Sequence, residues 1–254
     1  MSGLVAKLKT RLQQRADLSE VLAEPWTTLS PSDMAGRTVY LERDGRVTLG
    51  DLFHIEGQPA GRIEFTGELD LADRLGAGLQ EGEVVVKSNV GREAGLAMAG
   101  GILDIDGDAG PRAGAAPLGY TRGMVGGEMI VRGSAGADAG AAMRRGLLVI
   151  GRTAGNQTGR GMIAGTVIIL GAAGPDTGLW SKRGSVVALG KITPPETYAY
   201  ACTYQPIHLR IILERLRSRY RLPIQRKHFT GLYHRYSGDL AELGKGEILA
   251  WTRS

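Results

Sequence analysis

The stretch that decides the fold is Gly133-Ser134-Ala135-Gly136-Ala137-Asp138-Ala139-Gly140, because its Gly-x-x-Gly-x-x-x-Gly spacing returns at Gly107–Gly114 and at Gly171–Gly178. On either side of it, the columns Gly91/Gly110/Gly136/Gly155/Gly174 and Gly95/Gly114/Gly140/Gly159/Gly178 advance together, and both are expected to be turn glycines. A leading column, Gly82, Gly101, Gly127, Gly146, Gly165 and Gly184, keeps the same step of 19 residues, with one step of 26 from Gly101 to Gly127. The extra seven residues fall between Gly114 and Met124, where Ala115-Ala116-Pro117-Leu118-Gly119-Tyr120 breaks the register. A fixed period of this kind marks stacked repeats. Glycine at a recurring place means a positive φ or no room for a side chain, and a solenoid corner needs both.

Strands follow each leading glycine. Two places on stand Val84, Leu103, Met129, Leu148, Val167 and Val186, and four places on stand Val86, Ile105, Val131, Ile150, Ile169 and Ala188. Alternate residues share a face, so these columns fill the interior. A third interior column, Leu79, Met98, Met124, Met143, Met162 and Ser181, lies three places before the glycine; its methionines read as core filling rather than ligands. The sequence therefore predicts an all-β dominated, right-handed parallel β-helix over residues 61–190. Residues 1–60 are expected to supply an arm, irregular or helical over about the first 30, and capping strands at Thr38–Leu41 and Leu52–Ile55. Residues 191–254 are expected to hold a basic extension, with an amphipathic helix from about Pro206 to Arg221 before Pro223. Stacking at about 4.8 Å per coil makes a rod of roughly 30 Å. The outward column Val85, Asp104, Ile130, Val149, Ile168 and Val187 is apolar at five of its six places, so the chain's own termini or a partner protein must cover it.

Charge is unevenly placed. The net +5 resides in residues 191–254, with 11 Lys/Arg against 5 Asp/Glu, leaving 20 against 21 in the first 190. Before the leading glycines, Arg122, Arg144, Arg145, Arg160, Lys182 and Arg183 are expected to line one edge, and Arg226 and Lys227 add to the basic tail. Such an edge attracts an acidic ligand or partner. Nucleic acid is not expected, because few aromatic residues are interleaved for base stacking. No segment has the ~18 apolar residues of a membrane helix, and the N-terminus lacks the apolar core of a signal peptide, which points to a cytoplasmic protein.

Local chemistry is sparse. His54, His208, His228 and His234 all lie outside the repeats, and Cys202 reads as a small buried residue. One cysteine leaves no multi-cysteine metal site in this chain. Gly151–Gly159 lacks the Gly-Lys-Ser/Thr end of a phosphate loop, and the calcium-repeat position holds Glu93, Arg112, Asp138, Gln157 and Asp176 rather than a recurring aspartate. No catalytic residue and no metal ligand is assigned.

The glycine repeat and the tail Arg235-Tyr236-Ser237-Gly238-Asp239-Leu240-Ala241-Glu242-Leu243-Gly244-Lys245-Gly246-Glu247-Ile248 resemble the C-type subunits of the formylmethanofuran dehydrogenase family, whose fold is shared with the C-terminal domain of glutamate synthase. The resemblance implies a non-catalytic scaffold in a hetero-oligomer whose other members are metallohydrolase-like (A-type), B-type and formyltransferase (D-type) subunits. It implies a methanofuran-type cofactor and tetrahydromethanopterin in the complex, with metal outside this chain. Methanofuran-type cofactors carry glutamyl chains, which gives the basic edge a ligand. Two assemblies use such a scaffold: the bacterial formyltransferase/hydrolase complex, which takes formyl-tetrahydromethanopterin to formate, and the archaeal tungsten or molybdenum dehydrogenase. The Ala/Arg/Gly-rich composition, without Lys/Glu enrichment, leans to the former. A β-helical acyltransferase and a free-standing polyanion-binding solenoid remain as alternatives.

Overall fold

Each leading glycine delivers the chain into a short strand of β-branched and aliphatic residues, and these strands lie side by side. The computed structural model describes residues 3–252. The N-terminal part contains β1 (Leu4–Leu8), β2 (Ala16–Asp17), α1 (Pro31–Ala35), β3 (Thr38–Leu41), β4 (Gly45–Thr48), α2 (Leu49–Leu52), β5 (Phe53–Gly57), β6 (Arg62–Thr66) and β7 (Ala72–Asp73). The repeats supply β8 (Glu83–Val86), β9 (Ile102–Ile105), β10 (Glu128–Val131), β11 (Leu147–Ile150), β12 (Thr166–Ile169) and β13 (Arg183–Ala188). The C-terminal part holds β14 (Ala199–Tyr204), α3 (Ile207–Tyr220), α4 (Arg226–Thr230), β15 (Leu232–Gly238) and β16 (Lys245–Thr252).

Twelve of these strands form one mixed sheet in the order β14-β15-β16-β13-β12-β11-β10-β9-β8-β6-β1-β5. Its middle is parallel, and the register pairs the columns read from the sequence: Ile63, Val84, Leu103, Met129, Leu148, Val167, Val186 and Ile248 stand in one row. The insertion before Met124 leaves this register intact, since Leu103 pairs with Met129 across it. A second row of parallel bridges joins Leu69, Val90, Ala109, Ala135, Ala154 and Ala173. The methionine column is buried throughout, from Leu79 to Ser181.

The N-terminus departs from expectation. Leu4–Leu8, expected in an irregular or helical arm, is a strand inserted between β5 and β6. Leu4 and Ala6 point into the core, and this alternation over only five residues is too short to distinguish from a helix turn in sequence.

The two glycine columns, both expected in turns, meet separate demands. Gly95, Gly114, Gly140, Gly159 and Gly178 do occupy the turn, with left-handed backbones at φ +63° to +83°. The other column requires a correction: Gly91, Gly110, Gly136, Gly155 and Gly174 stand just before the turn, and none has a positive φ. They are glycines because successive turns approach too closely for a side chain. A Cβ would lie 2.8 Å from the Gly91 carbonyl carbon at Gly110, 2.5 Å from that of Gly136 at Gly155, and 2.8 Å from that of Gly155 at Gly174. At Gly91 and Gly136 it would meet Ala72 O and Pro111 N, each at 2.6 Å. Between the two columns Glu93, Arg112, Asp138, Gln157 and Asp176 also adopt positive φ, at a cost of roughly 1–2 kcal/mol each. For the first four the cost is offset by a hydrogen bond from their own N–H to a carbonyl of the next turn: Glu93 to Pro111, Arg112 to Ala137, Asp138 to Asn156 and Gln157 to Pro175, at 2.8–2.9 Å.

The apolar outward column is covered by the chain itself. Ile130, Val149, Ile168 and Val187 form one cluster with Leu209, Leu213, Leu216 and Tyr220 of α3, Phe229 of α4 and Tyr233 of β15. Burial of each such aliphatic side chain contributes about 1.5–3 kcal/mol. Asp104, the polar member of that column, accepts two hydrogen bonds from Arg132 at 2.9 and 2.7 Å. Arg132 also donates to the carbonyl of Tyr220 at 2.7 Å, placing a cation on the helix C-terminus, where the dipole favours it.

Candidate functional site

Most arginines of the repeats are committed to internal ion pairs. Arg74 and Arg112 both bond Glu93, at 2.7 and 3.0 Å, and Arg74 also reaches Asp17 at 2.6 Å. Arg15 and Arg92 hold Asp73 at 2.7 and 2.8 Å. Burial on its own would raise the Glu93 carboxyl, but the hydrogen bonds from Arg74 and Arg112 prevail and hold it below the usual carboxylate range. This ladder runs along the left-handed corner column, where Arg74, Glu93 and Arg112 alternate in charge from one turn to the next.

The sequence-predicted basic residues divide. Arg160 belongs to the corner rather than the edge: it pairs with Asp138 at 2.8 Å and lies 5.9 Å from the centre of the Trp180 ring. Arg122 is exposed at the end of the insertion. Arg226 and Lys227 are exposed on α4, where Lys227 stands 4.8 Å over the Trp251 ring. Arg144, Arg145, Lys182 and Arg183 are exposed and carry no ion pair among the described residues. They occupy the same two places before Gly146 and Gly184, and Ile163-Ala164 fills those places in the turn between, so the two pairs are about 10 Å apart along the stack.

Sequence reasoning missed a further member. β16 stacks in parallel on β13, with Arg183 opposite Lys245, so Lys245 continues the edge directly. The signal was present: Gly246-Glu247-Ile248-Leu249-Ala250 repeats the pattern of Gly184-Ser185-Val186-Val187-Ala188. It lay outside the 19-residue spacing because β14, α3, α4 and β15 intervene. The resulting edge is a row of flexible cations on a rigid sheet, suited to an extended polyanion held by several screened contacts.

Beside the insertion, Arg112, Leu118, Tyr120, Ala141, Arg160 and Trp180 line an open groove of about 230 Å³. Its rim is apolar, since Leu118, Tyr120 and Trp180 are all exposed.

No group of three His, Cys, Asp or Glu residues that could hold a metal ion occurs among the described residues. The histidines are dispersed. His54 lies on the edge strand β5, 3.6 Å from Glu56, His208 is exposed on α3, and His234 shares a 2.7 Å hydrogen bond with Thr203. His228 is buried beside the Trp251 ring and accepts a hydrogen bond from the Gln225 N–H. Burial first, then the Lys227 charge, lowers the His228 pKa. Below about pH 6.5 the unfolded chain therefore takes up a proton that the fold resists, and stability falls with pH until the folded group also protonates. Chemical denaturation between pH 5 and 7 is expected to show this slope, and His228→Gln to flatten it.

Cys202 is exposed, contrary to the sequence expectation of a buried thiol, because β14 is an edge strand with solvent on both sides.

No protein-family profile and no curated protein matches the sequence. Among solved structures, the chain is similar to one in the X-ray crystal structure of the formyltransferase/hydrolase complex (FhcABCD) from Methylorubrum extorquens in complex with methylofuran. The two superpose with a TM-score of 0.79 at 29% identity, covering 98% of this chain and 100% of that one. No helix among the described residues is long and apolar enough to cross a membrane.

Proposed function

We propose that this chain is a C-type subunit of the formylmethanofuran dehydrogenase family, the non-catalytic scaffold of a bacterial formyltransferase/hydrolase complex. The observation that carries this is the match over nearly the whole of both chains to one member of such a complex. Its partners in this reading are the metallohydrolase-like, B-type and formyltransferase subunits, in the cytoplasm. The complex takes formyl from tetrahydromethanopterin to a methanofuran-type carrier and releases formate, with its metal outside this chain.

In the same reading the repeats close as a right-handed parallel β-helix over residues 61–190. The parallel register from β6 to β13 and the second bridge row through Ala109, Ala135 and Ala154 support this. Residues 1–60 then seal one end, and residues 191–254 seal the other and cover the outward face.

The basic edge gives the scaffold a second task. Carboxylates of a glutamyl carrier chain fit Arg144, Arg145, Lys182, Arg183 and Lys245, all exposed and without internal ion pairs among the described residues. Several weak contacts hold such a chain while leaving it able to move. Arg122, Arg226 and Lys227 are assigned to the same ligand or to an acidic partner surface.

Changing Arg144, Arg145, Lys182 and Arg183 together to glutamine is expected to cut retention of a methylofuran-type carrier by the assembled complex at least ten-fold at low salt, with assembly preserved. Raising salt should reproduce the loss in the unaltered complex. Unchanged retention in an intact complex removes the carrier-binding role.

A further inference from the structure

We infer that the free edge of β14, continued by Ile207 and Ile211 of α3, receives an extended strand from another member of the complex. The inference rests on the scaffold reading. Among the described residues β14 is the last strand of the twelve-stranded sheet, paired only with β15. Its residues, Ala199-Tyr200-Ala201-Cys202-Thr203-Tyr204, include no charge and no proline, and all but Tyr204 are exposed. Such an edge is a template for another strand, and proteins ordinarily protect it with charge, proline, a bulge or a covering element; of these β14 has the one-residue bulge between Tyr200 and Cys202. The opposite edge has that protection: β5 carries His54 and Glu56 and is packed by α1.

The surface continues beyond the strand. Through Gln205-Pro206 the chain enters α3, whose inner side is buried, while Ile207 and Ile211 on its outer side are 77% and 75% exposed. They lie one turn apart, so both face the same way. Isolated exposed isoleucines need no explanation; a pair adjoining an edge without charge, proline or cover marks an interface.

The chemistry of the occupant follows. Backbone groups along Ala199–Tyr204 make no hydrogen bonds outside β15 among the described residues, so an added strand would satisfy them. Arg215 of the flanking helix is held by Glu128, which leaves Arg210, Arg217 and Arg219 against Glu214, an excess that favours an apolar strand flanked by carboxylates. A second copy of this chain fits poorly. It would bring the same arginines together, and the register shift between Tyr200 and Cys202 would set bulge against bulge in a two-fold pairing.

Cys202, the chain's single cysteine, reports on this edge. Its rate of reaction with a maleimide should fall at least ten-fold from the isolated full-length chain to the assembled complex. Ala201→Lys and Ile211→Asp, both at exposed sites, should lower recovery of partner proteins at least ten-fold while leaving the melting temperature of the isolated chain unchanged. Equal labelling in a complex that assembles overturns the edge proposal and leaves the scaffold reading standing. Protection already present in the chain alone, with a dimer mass, assigns the edge to a second copy and also overturns it. If no partner is recovered with the unaltered chain, the scaffold reading fails and the edge proposal with it.

Discussion

Gly155→Ala is expected to destabilise the protein by about 3 kcal/mol or more, from a single methyl group. The added carbon would meet the Gly136 carbonyl carbon at 2.5 Å and the Ala137 nitrogen at 2.6 Å, both backbone atoms of the preceding turn. No rotamer relieves such a contact. Relief requires neighbouring turns to separate, which breaks the hydrogen bond from Gly155 to Ala135 at 2.9 Å and the bridge between Ala135 and Ala154. Because a domain's total stability is only about 5–15 kcal/mol, this one change removes a large share of it. Gly159→Ala meets a different cost, the left-handed backbone at φ +71° with the Met162 sulfur 2.8 Å from the new methyl. The end of the methionine side chain can swing aside, so its loss should be smaller, near 1–2 kcal/mol. Urea unfolding of the two variants in parallel separates the demands.

Leu213→Asp should detach the C-terminal cover. Leu213 is fully buried in the cluster with Ile130, Val149 and Ile168. Losing its burial costs about 2–3 kcal/mol, and placing a carboxylate among aliphatic side chains adds several more. Amide exchange should accelerate along Ile207–Tyr220, and the uncovered apolar column should bind a hydrophobic dye. Ile211→Asp, on the outer side of the same helix, should leave both measurements unchanged, within about 0.5 kcal/mol of the parent protein. Equal effects at the two sites would mean that α3 does not lie on the sheet as described.

The repeat was legible because four demands coincide at a fixed spacing: a left-handed corner, a close approach between turns, an inward strand face and an internal methionine. Which glycine column meets which of the first two demands was not, since Gly110 and Gly114, or Gly174 and Gly178, look alike in sequence and differ in backbone angle and in how closely the preceding turn approaches. The apolar outward column was legible too, and so was the need for a cover. The element supplying it was open, because an amphipathic helix shows that it has a buried side and is silent about what that side meets. Leu209, Leu213 and Leu216 meet Ile130, Val149 and Ile168 only because the chain reverses through β14 to β16.

The candidate site was partly legible for the same reason. Arg144, Arg145, Lys182 and Arg183 follow from the period. Lys245 does not, since it joins the edge through the stacking of β16 on β13. Arg160 was misplaced because the sequence spacing does not reveal that a guanidinium one residue past the corner glycine bends back to Asp138. The exposure of Cys202 was equally hidden, because a short uncharged strand looks the same in sequence at the centre of a sheet and at its rim.

In the scaffold reading, this chain organises an enzyme complex. Affinity purification from the native host under mild conditions, followed by native mass spectrometry, tests it most directly. Co-purification in fixed ratio with metallohydrolase-like and formyltransferase subunits is expected, together with loss of formyl-to-formate turnover when this chain is omitted from reconstitution. Recovery of the chain alone as a soluble monomer, with full turnover in its absence, would contradict it.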